Sequence, residues 1–236
     1  MMTMKKVLLF AAVILFAACG EDESSSSMVK KAISAAEKTV VVEESKNLGA
    51  VPSLQLQYRE AEKQVKVLLE EFNKKAEEKF KKGGSMEDAI RAEMILKDLK
   101  KETKQELETI YKEKIMAESS KLEGKSVAVD FDKDQFASAT AVLHVAADSS
   151  ISKPYSIAAE LKLAKPIAYT GWTWFVYANW ECIGTEGEKL GNGSESIENF
   201  KELKADDIIS FEIKPYSVPS GENGKKFDKI YFKINK

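Results

Sequence analysis

The stretch of sequence that decides the fold reads LQLQYREAEKQVKVLLEEFNKKAEEKFKKGGSMEDAIRAEMILKDL over residues 54–99. Its apolar residues recur at spacings of three and four with Lys and Glu between them, which predicts amphipathic helices with one buried face each. Gly83 and Gly84 interrupt the pattern, and Ser85 with Asp88 three residues later gives a helix-start signal. The first predicted stripe is Tyr58, Ala61, Val65, Leu68, Phe72, Ala76 and Phe80. The second is Met86, Ile90, Met94, Ile95 and Leu99, resuming at Leu107, Ile110, Tyr111 and Ile115.

Folding these two helices about the glycine pair matches their stripes. The expected partners are Phe72 with Ile95, Leu68 with Leu99, and Tyr58 with Ile110. The sequence therefore predicts an antiparallel helical hairpin about 45 Å long at about 1.5 Å per residue. A coiled-coil oligomer is an open alternative, since two or three heptads do not fix a partner. A membrane-surface helix is disfavoured, because the polar faces carry as much Glu as Lys.

The flanking segments complete an α+β fold. Upstream, residues 28–46 have a helical spacing that ends in the β-favouring run Val40-Val41-Val42, so residues 28–122 form the predicted helical region. Residues 123–236 change to short β-type runs separated by turn residues, which predicts an antiparallel immunoglobulin-like β-sandwich. The expected strands cover residues 126–131, 137–145, 156–163, 174–183, 189–197, 208–214 and 229–234.

The stretch WECIGTEGEKLG, residues 180–191, together with LKADD at 203–207 and the strand that follows, resembles the FxLYD-type immunoglobulin-like domains of bacterial envelope proteins. In those domains an F-x-L-Y-D strand leads through a Gly turn into a second strand. Trp180 stands at the Phe position, Cys182 at Leu, Ile183 at Tyr and Gly184 at Asp. The resemblance covers about the last third of the chain and implies a sandwich without catalytic activity.

The N-terminus, MMTMKKVLLFAAVILFAACG, has the parts of an export signal. Lys5 and Lys6 are followed by an apolar stretch of about a dozen residues, fewer than the roughly 20 that span a bilayer. Phe16-Ala17-Ala18-Cys19 resembles the lipobox of bacterial lipoproteins, although that family usually has an aliphatic residue where Phe16 stands. The resemblance implies cleavage of residues 1–18 and acylation of Cys19, with ordinary secretion as the alternative.

Residues 19–27 continue with an acidic cluster and four serines, so we expect an acylated cysteine on a flexible polar tether. Glu21, Asp22 and Glu23 resemble the signal by which Bacteroidetes send lipoproteins to the outer face of the outer membrane. The expected location is lipid-anchored at the outer membrane, either surface-exposed or facing the periplasm. The bilayer would then be one partner, reached through Cys19.

The chain offers no constellation that predicts catalysis, and we expect no cofactor and no metal. Its one histidine, His144, lies in an apolar run without a cysteine pair, which indicates a strand histidine and not a zinc ligand. Gly191 to Ser194 lacks the Gly-Lys pair of a phosphate loop. Cys182 lies in an apolar alternating run and is expected in the core. The formal charge of −2, or −4 without residues 1–18, gives no footprint for nucleic acid.

All three tryptophans lie within YTGWTWFVYANW, residues 169–180. Two interpretations remain open for this segment. It is either a central strand buried on both faces, or an exposed platform for a glycan or protein, with Tyr169, Trp172, Trp174 and Tyr177 as its residues. The predicted function is a non-catalytic, membrane-anchored envelope lipoprotein whose sandwich binds a protein or glycan partner. The alternative is an assembly component that pairs through its hairpin, and an enzyme of unrecognised type is the third.

Overall fold

The computed structural model describes residues 24–145, 149–167, 176–197, 203–213 and 227–235, and within them the chain has three helices and seven strands. The fold is α+β, as predicted. The helices are α1 (Ser25–Thr39), α2 (Val51–Lys81) and α3 (Met86–Ser120). The strands are β1 (Ala128–Phe131), β2 (Phe136–His144), β3 (Ser156–Leu163), β4 (Val176–Gly184), β5 (Lys189–Ile197), β6 (Ile208–Ile213) and β7 (Phe227–Asn235).

The chain forms two compact units. Among the described residues, the helical unit comprises residues 24–41 with Gln57–Tyr111, and the sheet unit comprises Val42–Leu56 with those from Lys112 onward. Both α2 and α3 therefore contribute residues to each unit, which a division of the sequence at residue 122 does not anticipate.

Helix α1 begins at Ser25, three residues before the predicted start at Met28. Ser24 caps it, with the Ser27 backbone N–H donating to Ser24 Oγ at 3.2 Å; a serine oxygen satisfies an otherwise unpaired donor in this way. The helix buries Met28, Val29, Ala32 and Ala36. It ends at Thr39, where Val40 is extended, so the β-branched run stops it well before the predicted Lys46. Serines 25–27, expected in a flexible tether, are helical.

Helices α2 and α3 form the predicted antiparallel hairpin. Tyr58 of α2 and Tyr111 of α3 meet edge to face with ring centroids 5.6 Å apart. The turn uses Gly83 at φ +118°, a conformation that favours glycine. Ser85 and Asp88 form a reciprocal cap on α3: the Asp88 N–H donates to Ser85 Oγ at 3.2 Å, and the Ser85 N–H donates to Asp88 Oδ2 at 3.0 Å.

The buried row of α3 differs from the predicted stripe. It recurs every four residues as Leu99, Thr103, Leu107, Tyr111, Ile115 and Ser119. Thr103 occupies the stretch without apolar residues and donates its hydroxyl to Leu99 O at 2.6 Å. Met86, Ile90 and Met94 are instead 71%, 52% and 61% exposed, so the prediction that they are buried was wrong. The reason is that the buried interior of the hairpin ends at Leu69 on α2 and at Leu99 on α3. Residues 70–98 lie nearer the turn, and none of their side chains is buried.

The seven strands form two sheets, in the orders β1-β7-β4-β5 and β2-β3-β6. All pairs are antiparallel except β1 with β7. Phe211 of β6 and Phe232 of β7 make an edge-to-face contact at 5.8 Å between the two sheets. Apolar residues of both sheets, among them Leu143, Ile157, Leu161, Ile230 and Phe232, are completely buried. The alternation predicted for β6 and β7 therefore has its expected cause, a single buried face.

Two close contacts constrain the sheet unit. The side-chain amide of Asn47, buried in the segment between α1 and α2, donates to Phe227 O at 3.1 Å and Asp228 O at 2.7 Å, which fixes that segment to β7. The indole of Trp180 lies across Gly193 of the neighbouring strand and occupies the space that an added Cβ at position 193 would need. Only glycine leaves room for the ring at this position.

Replacing Leu107, 2% exposed and central in the buried row of α3, by alanine removes packing atoms and leaves a cavity. We expect Leu107→Ala to lower the free energy of unfolding by about 2–5 kcal/mol. The control Ile90→Ala, on the exposed part of the same helix, should change it by no more than about 0.5 kcal/mol. Urea unfolding followed by circular dichroism measures both, and equal losses would contradict the burial described here.

Candidate functional site

An open groove runs along the hairpin of the helical unit. Its floor is apolar, formed by Val65 and Leu69 of α2 with Leu96 and Leu107 of α3, and Tyr58 lies at one end. This part has a volume of about 480 Å³. A second part of about 710 Å³ continues toward the hairpin turn past Ala76, Phe80, Ala89 and Ala92, and the two parts share Asn73, Glu77, Leu96 and Lys100.

Charged side chains line both walls of the groove. On α2 they alternate in sign along the helix as Glu62, Lys66, Glu70, Lys74, Glu77 and Lys81. On α3 they are Glu93, Lys97, Lys100 and Lys104. A groove with an apolar floor and charged walls is the shape that receives an amphipathic helix.

Local hydrogen bonds orient the α2 wall. The Tyr58 hydroxyl donates to Glu62 Oε1 at 2.7 Å, and the Asn73 amide donates to Glu77 Oε1 at 2.8 Å. Burial, and then the neighbouring Glu62, raise the pKa of Tyr58 above its usual value, so the hydroxyl stays protonated and remains a donor. Lys66 Nζ lies 4.0 Å from Glu70 Oε1, at the limit of an ion pair.

The hairpin turn carries exposed apolar side chains beside the groove. Phe80 is 40% exposed, and Met86, Ile90 and Met94 are more than half exposed. Flexible Met side chains at an apolar surface are common in interfaces that bind other proteins. The hairpin therefore presents an apolar surface for which its own helices supply no cover.

His144 forms a surface clasp. Its Nδ1 lies 2.8 Å from Glu123 Oε1, and the Val145 N–H donates to Glu123 Oε2 at 2.6 Å. The Val145 N–H and then the imidazole hold the pKa of Glu123 below its usual value. Both side chains are about half exposed, so the pair fastens the end of β2 to the segment after α3. Among the described residues, no hydrogen bond or ion pair joins the imidazole to a nucleophilic side chain.

The sites predicted from sequence fall in different places. Cys19 and the export residues Glu21, Asp22 and Glu23 lie outside the described residues, as do Tyr169, Trp172 and Trp174 of the platform. Tyr177 lies in β4 and is 41% exposed. Trp180, of the same aromatic segment, is buried, and Cys182 is completely buried.

The groove itself was not predicted. Both apolar stripes were predicted to lie in the hairpin interior, which would leave no apolar surface open. A signal was present in the α2 residues at intervals of three to four that alternate between Glu and Lys, a pattern typical of the flanks of a helix interface.

Comparisons with known proteins add no relative: no protein family, no curated protein and no solved structure matches the chain. In the part of the chain that the structure describes, no group of His, Cys, Asp and Glu side chains is arranged to hold a metal ion. No helix among those residues is long and apolar enough to cross a bilayer.

Burial of Cys182 in β4 raises the pKa of its thiol to about 12. Because the thiolate is the reactive form, we expect the native chain at pH 8 to leave Cys182 unlabelled by iodoacetamide for hours, and the unfolded chain in urea to label within minutes. Peptide mapping by mass spectrometry measures the modified fraction. Rapid native labelling would show that the thiol is accessible and would reopen a nucleophilic role.

Proposed function

We propose that this protein is a non-catalytic, lipid-anchored envelope module that binds a protein partner through the groove of its helical hairpin. The observation that carries the proposal is the open groove with its apolar floor. It favours the hairpin as the binding element, because the groove presents Leu96 and its apolar neighbours between two charged walls.

The N-terminal sequence supports the anchor. Phe16-Ala17-Ala18-Cys19 resembles a lipobox, and acyl chains on Cys19 would hold the chain at a membrane, since each buried CH₂ contributes about 0.8 kcal/mol. Glu21 to Glu23 support export to the outer face of an outer membrane. The non-catalytic assignment is supported by the surface position of His144 and the buried state of Cys182.

We further propose that the sheet unit is an immunoglobulin-like β-sandwich. The contacts Phe211 with Phe232 and Phe131 with Phe136, each between strands of different sheets, support face-to-face packing. The order of a constant-type immunoglobulin domain would join the first, second, fourth and fifth strands in one sheet. The order here differs, so the proposal concerns the packing of two sheets and not that strand order.

A second candidate function is glycan or protein binding by β4. Tyr177 supports it, since its ring is 41% exposed although β4 is an inner strand of its sheet. Exposed tyrosines serve as amphipathic contact residues. Loss of binding on Tyr177→Ala, with unchanged circular dichroism, would favour this surface over the groove.

Photo-crosslinking tests the groove. A photoreactive amino acid at Leu96, on the groove floor, should give a covalent protein adduct when the full chain is illuminated in cells, because a bound partner covers that position. The matched control is the same amino acid at Glu78, which is exposed on α2 and does not line the groove. Absence of an adduct at Leu96, or equal adducts at both positions, would refute the proposal.

Cell fractionation tests the anchor. We expect the wild-type chain in the membrane fraction and Cys19→Ala in the soluble fraction, because the substitution removes the acylated sulfur. Cys182→Ala serves as the control and should remain with the membranes. Mass spectrometry of the N-terminal peptide should show the acyl chains, and an unmodified Cys19 would refute the anchor.

The same cells address the export signal. Protease added to intact cells should cleave the wild-type chain and spare the variant in which Glu21, Asp22 and Glu23 are alanine. Protection of both chains would place the protein on the periplasmic side.

A further inference from the structure

We propose that the groove takes a second copy of the same hairpin, with α2 packed antiparallel to α2 of the other copy about a two-fold axis. This inference rests on the proposed function and names the partner of that groove. The occupant follows from the charges on the walls.

The α2 wall is complementary to itself. Its six charged residues read Glu62, Lys66, Glu70, Lys74, Glu77 and Lys81. The row has an even number of residues that alternate in sign. When it is placed antiparallel to its own copy, every charged side chain therefore faces a side chain of opposite charge. The facing pairs are Glu62 with Lys81, Lys66 with Glu77, and Glu70 with Lys74, each formed twice. Such an isologous interface is how most two-fold homodimers are built.

The α3 wall has the same centre. Tyr58 and Tyr111 are in contact and therefore lie at the same height in the antiparallel hairpin. Phe72 is fourteen residues after Tyr58 and Lys97 is fourteen residues before Tyr111, so these two positions also lie at one height. The α2 row is centred next to Phe72, and the α3 row is centred between Lys97 and Lys100. One axis therefore serves both walls. It pairs Glu93 with Lys104 of the other copy and sets Lys97 against Lys100, an unfavourable contact; by symmetry each of these two contacts is formed twice.

Burial of the apolar floor would stabilise the dimer, and the charge pairs would set the orientation of the two copies. Leu96 lies near the proposed axis, and Ala76 and Ala92 continue the floor toward the turn; all three are only partly buried in one copy. Two such floors facing each other would exclude water from these side chains, as in a four-helix bundle. A parallel arrangement would set α2 against α3 of the other copy. It is less favourable, because at equal height Glu77 then meets Glu93, and Lys66 lies between Lys100 and Lys104.

Disulfide trapping distinguishes these arrangements in the full chain. Asn73 lines the groove within two residues of the axis, so the two copies of Asn73→Cys should lie about 5 Å apart along the helices. The copies of Glu62→Cys should lie about 28 Å apart. We expect a disulfide-linked dimer under mild oxidation for Asn73→Cys, and no dimer above the wild-type level for Glu62→Cys.

Charge reversal gives an independent readout. Glu70→Lys in the Asn73→Cys chain should reduce the trapped dimer at least fivefold, and adding Lys74→Glu should restore it, because the pair is then reversed as a whole. Glu78→Lys makes the same charge change outside the groove and should leave the dimer unchanged. Equal losses for Glu70→Lys and Glu78→Lys, or no rescue by Lys74→Glu, would overturn the proposed pairing.

The outcomes separate this inference from the proposed function. An adduct from Leu96 to a different protein, without an Asn73→Cys dimer, overturns self-association and supports the binding role of the groove. An adduct whose peptides all come from this chain, together with the dimer, supports both. The absence of any adduct and any dimer overturns both.

Discussion

Burial along α3 at intervals of four residues is the constraint on which the helical unit depends. Four residues turn an α-helix by about 400°, so the buried row moves by about 40° at each step and winds around the helix. Tyr111 lies in this row and meets Tyr58 at its ring edge, which sets the register of the hairpin. The same winding ends the buried row at Leu99, and the groove runs from Tyr58 past this point toward the turn.

Several elements could be predicted because their signals are local. The glycine turn with the Ser85 and Asp88 cap, and the seven strands, follow from residue types within a few positions of each other. The extent of burial did not follow. Periodicity identified Met86, Ile90 and Met94 as apolar neighbours on α3, but whether a partner helix covers them depends on the register of α2, and no local pattern encodes it. Thr103 shows the converse, a polar residue buried because its hydroxyl bonds to Leu99 O within the helix.

The candidate site was harder to predict than the fold for a related reason. Catalytic and metal sites are found by residue type, and His144 and Cys182 are residues of the types that form them. A helix-binding groove is made of common residues, Leu, Val, Glu and Lys. They indicate a binding site only when it is known which face of the helix is exposed. The alternating charges on α2 were visible in the sequence. They became informative only when the structure showed that the six residues from Glu62 to Lys81 line the same wall of one groove.

The contact between Trp180 and Gly193 has a consequence for the variation that this protein can tolerate. Because the indole occupies the space of a side chain at 193, a larger residue there can be accepted only if position 180 shrinks in the same lineage. The two positions, paired across β4 and β5, should therefore change together during evolution. A chain with Trp at the first and anything but Gly at the second would have to hold these strands differently.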